Sequence, residues 1–458
     1  MTSPVWHPFT QHGLNAPIPK IVRTDGAALH TADGRRIVDA ISSWWVTTHG
    51  HSHPRIMAAI ADQAMRMDQI IFAGFTHDPA ETLAAKLVRI MPAALAHVFY
   101  SDSGSTAVEV ALKMALGYWA NIGAPRHRIV MLEHSYHGDT IGTMSVGARG
   151  VFNRPYAPLL FDVGTVPFPE PGAEQATLDA LDRLCGGAEP AAAFIVEPLL
   201  LGAGGMKMYP PALLADMRAL CARHGTLFIA DEVMTGWGRT GTLLACEQAG
   251  IVPDILCLSK GLTGGAIPLA VTMATAAIFD AHRSDDRAKM FFHSSSYTAN
   301  PIACAAAVAN LEIWEEEPVL DRIADLGLRQ QHRLDAIATR PDIANPRRLG
   351  TITAFEVTEP EERDTTSSPR HPGLDPGSRV SGAASGISGS RIRSGMTAGT
   401  GYLAPIGPAL MAHAAARDIL IRPLGDTVYV MPPYCIADAD LDAIYTAVTD
   451  FLDGRARS

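Results

Sequence analysis

Two stretches in the middle of the chain decide the fold: LFIADEVMTGWGRTG, residues 227–241, and PDILCLSKGLTGG, residues 253–265. Each has a short apolar run that changes abruptly to polar and glycine-rich sequence, which is typical of a buried strand followed by a loop. The first run ends at Asp231 and the second at Lys260. Because the carboxyl ends of parallel strands meet at one edge of a sheet, we expect both side chains to enter one crevice.

The sequence around these stretches repeats the same alternation of strand-like and helix-like patterns. Further strand-like runs lie at His97–Tyr100, Arg128–Leu132, Ala193–Val196 and Leu269–Met273, and helical patterns at Thr106–Ala120 and Ala212–Arg223. Short buried strands that alternate with helices predict an α/β fold, with a mostly parallel sheet and helices on both faces. We expect a large domain over residues 56–314. Residues 1–55 and 315–458 would combine into a small α+β domain.

One segment differs from its surroundings in composition. Residues 365–400 contain seven Gly, eight Ser and three Pro, and they carry a net charge of +3 in a chain of net charge −10. Such a segment buries too little apolar surface to offset the entropy lost on ordering. It is interpreted as a flexible insertion, with a docking loop as the alternative.

The overall composition limits the possible partners. The chain has 458 residues, of which 47% are hydrophobic, so it is not disordered as a whole. Its acidity argues against nucleic acid or an anionic membrane as partner. No cysteine pair has the C-x-x-C spacing, and no stretch reads as a secretory signal or a membrane span. We therefore expect a cytoplasmic protein without a metal site.

Lys260 is one of only six lysines, and it alone follows a buried strand and precedes a glycine-rich loop. Burial lowers the pKa of a lysine and frees its amine for imine chemistry, whereas an ordinary surface lysine would stay charged. Asp231 could form a buried ion pair or cap, or it could hold a cationic ring nitrogen. An imine-forming lysine beside a carboxylate suits pyridoxal phosphate.

A phosphate site is expected in VFYSDSGSTAVEVALKMA, residues 98–115, which combines a strand, a turn and a helix. Gly104 permits close approach of the backbone, Ser105 or Thr106 caps the helix, and its free amides bind phosphate. A well-capped helix without a ligand is the alternative. In HSYHGD, Tyr136 follows a strand and could stack on a planar cofactor or lie at a rim.

Two other patterns are interpreted as coincidental. Gly236, Gly238 and Gly241 spell G-x-G-x-x-G, but four residues separate them from the strand, which disfavours a dinucleotide site. The alternating histidines of HGHSH, residues 49–53, lie in a turn with no adjacent carboxylate or cysteine, which disfavours a metal site.

Four further residues suggest a substrate pocket. If Trp44 and Trp45 lie on a strand, they point to opposite faces, and one of them could line a pocket or a domain interface. Arg422 could bind a substrate carboxylate or form a surface ion pair. Tyr429 belongs to the same predicted small domain.

Two motifs, and the spacing from Asp231 to Lys260 within them, resemble the class III pyridoxal-phosphate aminotransferases. The motifs are DEVMTGWGRTG and PDILCLSKGLTGG. The resemblance covers nearly the whole chain except residues 360–400. It implies a fold-type I homodimer with active sites at the subunit interface. Lys260 would carry the cofactor through an imine and Asp231 would pair with its ring nitrogen.

The resemblance also implies roles for other residues. Gly104 and Ser105 would hold the phosphate, Tyr136 and His137 would lie against the ring, and Asp139 and Glu197 would support the site. Trp44, Trp45 and Tyr429 would line the substrate pocket, Arg422 would bind a carboxylate, and Ser294, Ser295 and Ser296 would reach the other subunit's site.

Three further motifs are most similar to one branch of the family: WHPFTQH, SSWWVTTHGHSHP and IRPLGDTVYVMPPY. That branch acts in biotin synthesis and transfers an amino group from S-adenosylmethionine to 8-amino-7-oxononanoate. Phe9 stands where the branch usually has a tyrosine, and Ser294–Ser296 replace Gly-Pro-Thr. The missing hydroxyl leaves lysine open as the amino donor. Another class III ω-aminotransferase and a non-catalytic scaffold are the remaining alternatives.

Overall fold

The computed structural model describes residues 3–358 and 402–456, so the predicted insertion at 365–400 lies outside the described residues. The strands are β1 (Ile21–Asp25), β2 (Ala28–Thr31), β3 (Arg36–Asp39), β4 (Leu95–Ser101), β5 (Ile129–Leu132), β6 (Gly164–Val166), β7 (Ala193–Val196), β8 (Leu200–Leu201), β9 (Lys207–Met208), β10 (Leu227–Asp231), β11 (Ile255–Leu258), β12 (Ala270–Thr275), β13 (Ile343–Leu349), β14 (Ile352–Val357), β15 (Ile419–Leu420) and β16 (Thr427–Val430).

The α-helices are α1 (Pro54–Ala64), α2 (Asp78–Ile90), α3 (Gly104–Asn121), α4 (Ile141–Ser145), α5 (Glu174–Gly186), α6 (Pro211–Arg223), α7 (Ala245–Gln248), α8 (Ala276–His282), α9 (Pro301–Glu316), α10 (Val319–Ile337), α11 (Ile406–Ala415) and α12 (Asp438–Ala456). A single helical turn, Ser42–Trp45, has positive φ angles, and short 3-10 helices occupy His12–Leu14, Arg154–Leu159, Lys260–Thr263 and Arg287–Lys289. Among the described helices, none has both the length and the apolar composition needed to cross a bilayer.

The central element is a seven-stranded sheet in the order β4-β12-β11-β10-β7-β5-β6. The strands from β11 to β6 are mutually parallel, and β12 runs antiparallel to both of its neighbours. All six predicted strands belong to this sheet, and their ends differ from the predicted ones by at most two residues. The prediction of a mostly parallel sheet is confirmed, although the sequence did not indicate that β12 is reversed.

The sheet is buried on both faces, as its apolar strands require. Along β10, Phe228 and Ala230 pack on one face with residues of α2, α5, α6 and α9. Leu227 and Ile229 pack on the other face with α3 and α8. Because successive side chains of a strand alternate in direction, a run that is apolar throughout needs helices on both sides. This packing fixes the strand ends, and with them the polar residues that come next in the chain.

The two ends of the chain meet in a second sheet, β1-β2-β3-β15, in which β15 lies parallel to β3. A third sheet, β13-β14-β16, packs beside it. One apolar cluster joins residues such as Val38, Phe355, Leu410 and Leu441 from both ends of the chain. The domain boundaries at residues 55 and 315 stay a prediction.

Candidate active site

Lys260 begins the 3-10 helix that directly follows β11. Its φ of 46° is left-handed, and the loop then turns through Gly264 and Gly265, whose φ angles are 65° and 87°. A Cβ on Gly265 would lie 2.4 Å from the carbonyl oxygen of Val46, so the loop approaches that backbone too closely for another residue. Burial lowers the pKa of the Lys260 amine to about 8, which leaves a usable unprotonated fraction near neutral pH.

Four of the other lysines have ordinary partners. Lys86 and Lys207 form ion pairs with Glu315 and Glu170, each at 2.7 Å. Lys113 and Lys289 donate to the backbone carbonyls of Phe292 and Asn121. Lys20 is exposed. Lys260 differs from these five because it lines both of the cavities described below.

Asp231 ends β10 and is buried. Its Oδ2 lies 2.7 Å from Nδ1 of His137, and its Oδ1 accepts the amide N–H of Val233 at 3.1 Å. The other ring nitrogen of His137, Nε2, is buried without a hydrogen-bond partner among the described residues. An aspartate held in this way keeps its carboxylate oriented toward the cavity that it lines. The neighbouring Glu232 instead binds the amides of Ala245 and Cys246, so its role is structural.

Glu197 supplies a second buried carboxylate beside this cavity. Its two oxygens accept the amide N–H groups of Tyr136, at 3.0 Å, and Gly202, at 2.9 Å. Burial nevertheless raises the pKa of Glu197 to about 7. Glu197 thereby fixes the backbone that carries Tyr136, and burial raises the pKa of the Tyr136 phenol, which stays protonated.

The amino end of α3 forms the opposite wall. Ser103, rather than the predicted Ser105 or Thr106, is the N-cap: its Oγ accepts the N–H of Thr106, and Oγ1 of Thr106 accepts the N–H of Ser103. The first helical amides, at Gly104 and Ser105, have no intrahelical acceptor and remain available. A Cβ on Gly104 would lie 2.6 Å from Cγ1 of Val233, so only glycine allows this close approach.

These groups converge on one cavity of about 170 Å³. Its walls include Gly104, Ser105, Tyr136, His137, Glu197, Asp231 and Lys260. Together they offer an amine, a buried carboxylate, an aromatic ring and a helix amino end. This donor set fits pyridoxal phosphate, which requires an imine partner, an anion for its ring nitrogen and an anion-binding site for its phosphate.

A second cavity, of about 320 Å³, shares Lys260, Tyr136 and Trp45 with the first. It is lined by Pro8, Phe9, Trp44, Trp45, Tyr136, Asp139, Phe152, Ala203, Lys260, Tyr402, Arg422, Leu424 and Tyr429. Every residue predicted for the substrate pocket is in this set except Ser294. The pocket is mostly aromatic, with one cation at Arg422 and one amine at Lys260.

Trp44 and Trp45 do not lie on a strand, which corrects the expectation of opposite faces. They belong to the turn Ser42–Trp45, in which all four residues have positive φ, from 44° to 73°. Left-handed backbone costs roughly 1–2 kcal/mol per residue for side chains other than glycine. This conformation lets both indoles reach the same pocket. Trp45 is buried and donates Nε1–H to the Tyr429 hydroxyl at 3.0 Å.

Among residues 3–358 and 402–456, no carboxylate pairs with Arg422, and its role in binding a substrate carboxylate stays a prediction. Its guanidinium carbon lies 4.8 Å from the Trp44 ring centroid and 5.9 Å from that of Phe9. One N–H group donates to the carbonyl oxygen of Phe9 at 3.2 Å. Its other donors are available to a planar anion in the pocket.

Phe152 and Tyr402 line the pocket mouth and were not expected. Their rings are 4.6 Å apart, and each makes an edge contact with Phe9, at 5.9 and 6.5 Å. Phe152 comes from a loop after α4 and Tyr402 follows the predicted insertion. Neither position has a sequence signal, because only the folded chain brings these loops to the N-terminal segment.

Ser294, Ser295 and Ser296 lie away from both cavities. Ser295 donates Oγ–H to Asp102 at 2.5 Å, and the carbonyl oxygen of Ser296 accepts from Gln69 at 2.9 Å. Within the described part of the chain, none of the three serines lines the cofactor cavity or the aromatic pocket.

The two patterns judged coincidental have structural roles. Gly238 and Gly241 have φ of 88° and 109° and form a turn, and no helix begins at them. Arg239 in this turn is buried and donates to the carbonyl oxygens of Trp45, Thr47 and Pro432. Among the described residues, no group of three histidine, cysteine or acidic side chains is arranged to hold a metal ion.

The histidines of residues 49–53 nevertheless differ from expectation in one respect. A carboxylate is adjacent after all, because His51 Nε2 lies 2.8 Å from Oδ2 of the buried Asp39. Asp39 was too distant in sequence, twelve residues away, for the local pattern to reveal it.

Comparison with known proteins agrees with this geometry. The family described as aminotransferase class-III matches residues 10–452. The chain is 44% identical to the adenosylmethionine-8-amino-7-oxononanoate aminotransferase of Synechococcus elongatus, over 98% of each protein. The protein of the same name from Nitratidesulfovibrio vulgaris is 38% identical, over 97% of this chain and 79% of the relative.

Solved structures give the same result. The adenosylmethionine-8-amino-7-oxononanoate aminotransferase of Methanocaldococcus jannaschii has a TM-score of 0.85 and 30% identity, covering 98% of this chain and 97% of the other. A PLP-bound amine transaminase from an uncultivated Pseudomonas species has a TM-score of 0.84 and 30% identity, covering 98% of each chain. The expected fold-type I architecture is confirmed. The chain belongs to the class III aminotransferase family.

Proposed function

We propose that this protein is a pyridoxal-phosphate-dependent transaminase that moves an amino group from S-adenosylmethionine to 8-amino-7-oxononanoate. The observation that carries the proposal is the convergence of the Lys260 amine, the Asp231 carboxylate and the amino end of α3 on one cavity. The names of the relatives from Synechococcus and Methanocaldococcus support this choice of substrates. The intact set of groups argues against a non-catalytic scaffold.

Pyridoxal phosphate, when bound, supplies an electron sink for the carbon from which the proton is removed. The Lys260 amine, with its lowered pKa, takes the proton from the donor carbon that bears the amino group. It would deliver that proton to C4′ of the cofactor, and in the second half-reaction the same amine would move a proton from C4′ to C7 of the acceptor. Lys260 thus acts as base and then as acid at one position in the crevice.

The two buried carboxylates have different tasks. Asp231 would hold the proton on the ring nitrogen, and His137 at 2.7 Å keeps the Asp231 carboxylate oriented. Glu197 holds the Tyr136 backbone so that this ring lies along the cavity wall. Ser105 and Gly104 would bind the phosphate through free amides.

The aromatic pocket would receive the acceptor's chain. Arg422 would bind the terminal carboxylate through its free N–H groups, and Trp44 and Trp45 would cover the methylene groups and exclude water. Asp139, which lines the aromatic pocket, would support the bound substrate beside Tyr136.

The amino donor is less constrained by the pocket. Phe9 presents a ring without a hydroxyl to the pocket, so a hydrogen bond that tyrosine would make is missing. Lysine is therefore the second candidate donor with the same acceptor.

We also propose a homodimer in the cytoplasm. Ser294, Ser295 and Ser296 line neither the cofactor cavity nor the aromatic pocket of their own chain, which supports their predicted contact with the cofactor and substrate of a second subunit. The six cysteines are free in the structure, and five are buried, which supports a reducing compartment.

The test is a coupled assay in which purified protein receives 8-amino-7-oxononanoate with either S-adenosylmethionine or lysine, and 7,8-diaminononanoate is quantified by mass spectrometry. We expect turnover with S-adenosylmethionine. Turnover with lysine alone would change the donor. Turnover of ω-amino acids with no conversion of 8-amino-7-oxononanoate would assign a different class III transaminase.

A further inference from the structure

We propose that Asp39, which does not touch the pocket, is a positioning residue for the substrate half of the active site. Through the turn Ser42–Trp45 it sets where Trp44 and Trp45 stand, and hence how tightly a carboxylate-bearing acceptor binds. This inference rests on the proposed function for the identity of that acceptor.

The turn that carries the tryptophans is strained along its whole length. Ser42, Ser43, Trp44 and Trp45 have φ angles of 52°, 44°, 72° and 73°. Three backbone hydrogen bonds span it: the Trp45 amide donates to the Ile41 carbonyl, and the amides of Val46 and Thr47 both donate to the Ser42 carbonyl. Four successive non-glycine residues relax from this region unless their surroundings prevent it.

Asp39 holds the beginning of the turn. Its carboxylate is fully buried, with Oδ1 accepting the Ile41 amide at 3.1 Å and Oδ2 accepting the Ser43 hydroxyl at 2.9 Å. His51 Nε2 lies 2.8 Å from the same Oδ2 and 3.3 Å from the Ser43 hydroxyl. One carboxylate therefore fixes a backbone amide and a side chain of the turn, while His51 fixes the carboxylate.

Other contacts hold Ser42 and the far end of the turn. Arg239 donates to the carbonyl oxygen of Thr47 at 2.7 Å, and Ser42 donates its hydroxyl to the carbonyl oxygen of Met431 at 2.8 Å. The Trp45 indole donates to Tyr429. Because Ser42 and the far end are anchored without Asp39, loss of the Asp39 contacts would release mainly Ser43 and Trp44.

A shift of the turn Ser42–Trp45 would affect two functional groups of the active site. Trp44 lies beneath the Arg422 guanidinium at 4.8 Å, and the Trp45 ring centroid lies 5.1 Å from Nζ of Lys260. A shift of Trp44 would free Arg422 to rotate away from the carboxylate position. Lys260 and Asp231 belong to the main sheet and its loops, so they would keep their places.

The test compares Asp39→Asn with Asp182→Asn. Asparagine keeps one acceptor oxygen but replaces the other with an NH₂ group that cannot accept from Ser43. Asp182 is the matched control, because it pairs with His224 at the same distance of 2.8 Å on α5, away from both cavities. The acceptor KM and kcat are measured, and nonanoate, which has the carboxylate and chain but no reactive group, is titrated by calorimetry.

For Asp39→Asn we expect the acceptor KM and the nonanoate Kd to rise about tenfold, as for the loss of one buried hydrogen bond to a charged group. We expect kcat and the absorbance of bound cofactor to change little. Asp182→Asn should match the wild type in all four measurements. A purely structural role would lower the amount of folded enzyme without changing the KM or Kd of the fraction that remains.

The proposal is overturned if Asp39→Asn binds cofactor fully and keeps a wild-type KM and nonanoate Kd. If Asp39→Asn does not accumulate, His51→Ala and His51→Gln take its place. His51→Ala should raise the acceptor KM. His51→Gln, whose side-chain amide can still donate to Asp39, should keep the acceptor KM near the wild-type value. A wild-type KM in both variants would overturn the proposal. A wild type that does not convert 8-amino-7-oxononanoate contradicts the proposed function instead, and nonanoate binding still tests the role of Asp39.

Discussion

The cofactor half and the substrate half of the active site are built in different ways. In the cofactor half, Asp231, Glu197 and Lys260 follow the ends of neighbouring strands of one sheet, and backbone amides hold both carboxylates. The substrate half combines residues from separate parts of the chain: Phe9, the turn Ser42–Trp45, Arg422 and Tyr429. Ring edges and side-chain hydrogen bonds hold those parts together.

The difference separates the chemistry from the selection of substrate. Strand ends in a sheet buried on both faces cannot move independently, so the reacting groups keep their geometry whatever substrate arrives. The substrate half depends on contacts between loops, which can change one residue at a time. Changes in the first half should therefore affect kcat, and changes in the second should affect KM.

Replacement of Lys260 by alanine tests the cofactor half and should have the largest effect of these changes. The variant loses both the covalent partner of the cofactor and the proton carrier, so we expect the transamination rate to fall by roughly 10⁴-fold or more. Steady-state assays measure the loss, and borohydride reduction followed by peptide mass spectrometry should find cofactor on Lys260 only in the wild type. A Lys260→Ala protein that transaminates at the wild-type rate would refute the assignment.

The burial of Glu197 predicts a pH effect on stability. Its folded pKa of about 7 is above its ordinary value of 4.5, so the folded protein binds the extra proton between these values. The stabilisation is complete below pH 4.5 and is lost as the pH rises to 7. In cofactor-free protein, the free energy of unfolding of the wild type relative to Glu197→Gln should fall by roughly 3 kcal/mol across that interval.

Urea unfolding at several pH values between 4.5 and 7.5 measures this difference. Glutamine places an NH₂ group against one backbone N–H, but that penalty is the same at every pH and does not alter the slope. A difference between the two proteins that is independent of pH would mean that Glu197 stays ionised in the fold.

Arg422→Met tests the substrate half. Methionine keeps apolar contact with Trp44 but removes the charged donors, so the acceptor KM should rise by roughly 10- to 100-fold, which corresponds to a charge-assisted hydrogen-bond pair. The half-reaction with the donor, followed through the cofactor absorbance, serves as the internal control for cofactor geometry. A large fall in kcat with an unchanged KM would contradict the division between the two halves.

Phe9→Tyr should have the smallest effect. The ring already contacts Trp44, Phe152 and Tyr402, so the new hydroxyl adds at most one hydrogen bond at a partly exposed position. We expect the KM for S-adenosylmethionine to fall by a few-fold, since a neutral hydrogen bond contributes about 1 kcal/mol. The ratio of kcat/KM for S-adenosylmethionine to that for lysine is the measurement. An unchanged ratio would show that Phe9 does not select the donor.

The cofactor half could be predicted from sequence because its signals are local. A buried strand is a run of apolar residues, and a polar residue at its end is adjacent in sequence, so Asp231 and Lys260 were recognisable individually. The helix cap was assigned to the wrong residue, since Ser103, Ser105 and Thr106 are all capable caps and only the backbone geometry selects Ser103.

The substrate half was less predictable for a physical reason. Phe152, Tyr402 and Asp39 reach or support the pocket through contacts between residues far apart in the chain, which no periodicity encodes. The left-handed turn at Trp44 and Trp45 contradicts the local preference of its residues, because hydrogen bonds accepted by Asp39 and donated by Arg239 override it.

By itself, the sequence determined the α/β class, the order of the main strands and helices, and the lysine that carries the chemistry, since these depend on apolar periodicity and on the residue types at the strand ends. Tertiary structure alone decided that β12 is antiparallel, that His137 orients Asp231, and that the Arg422 guanidinium lies over the Trp44 ring. Those features depend on which segments, distant in sequence, come into contact. The free energy of packing, rather than local conformational preference, determines those contacts.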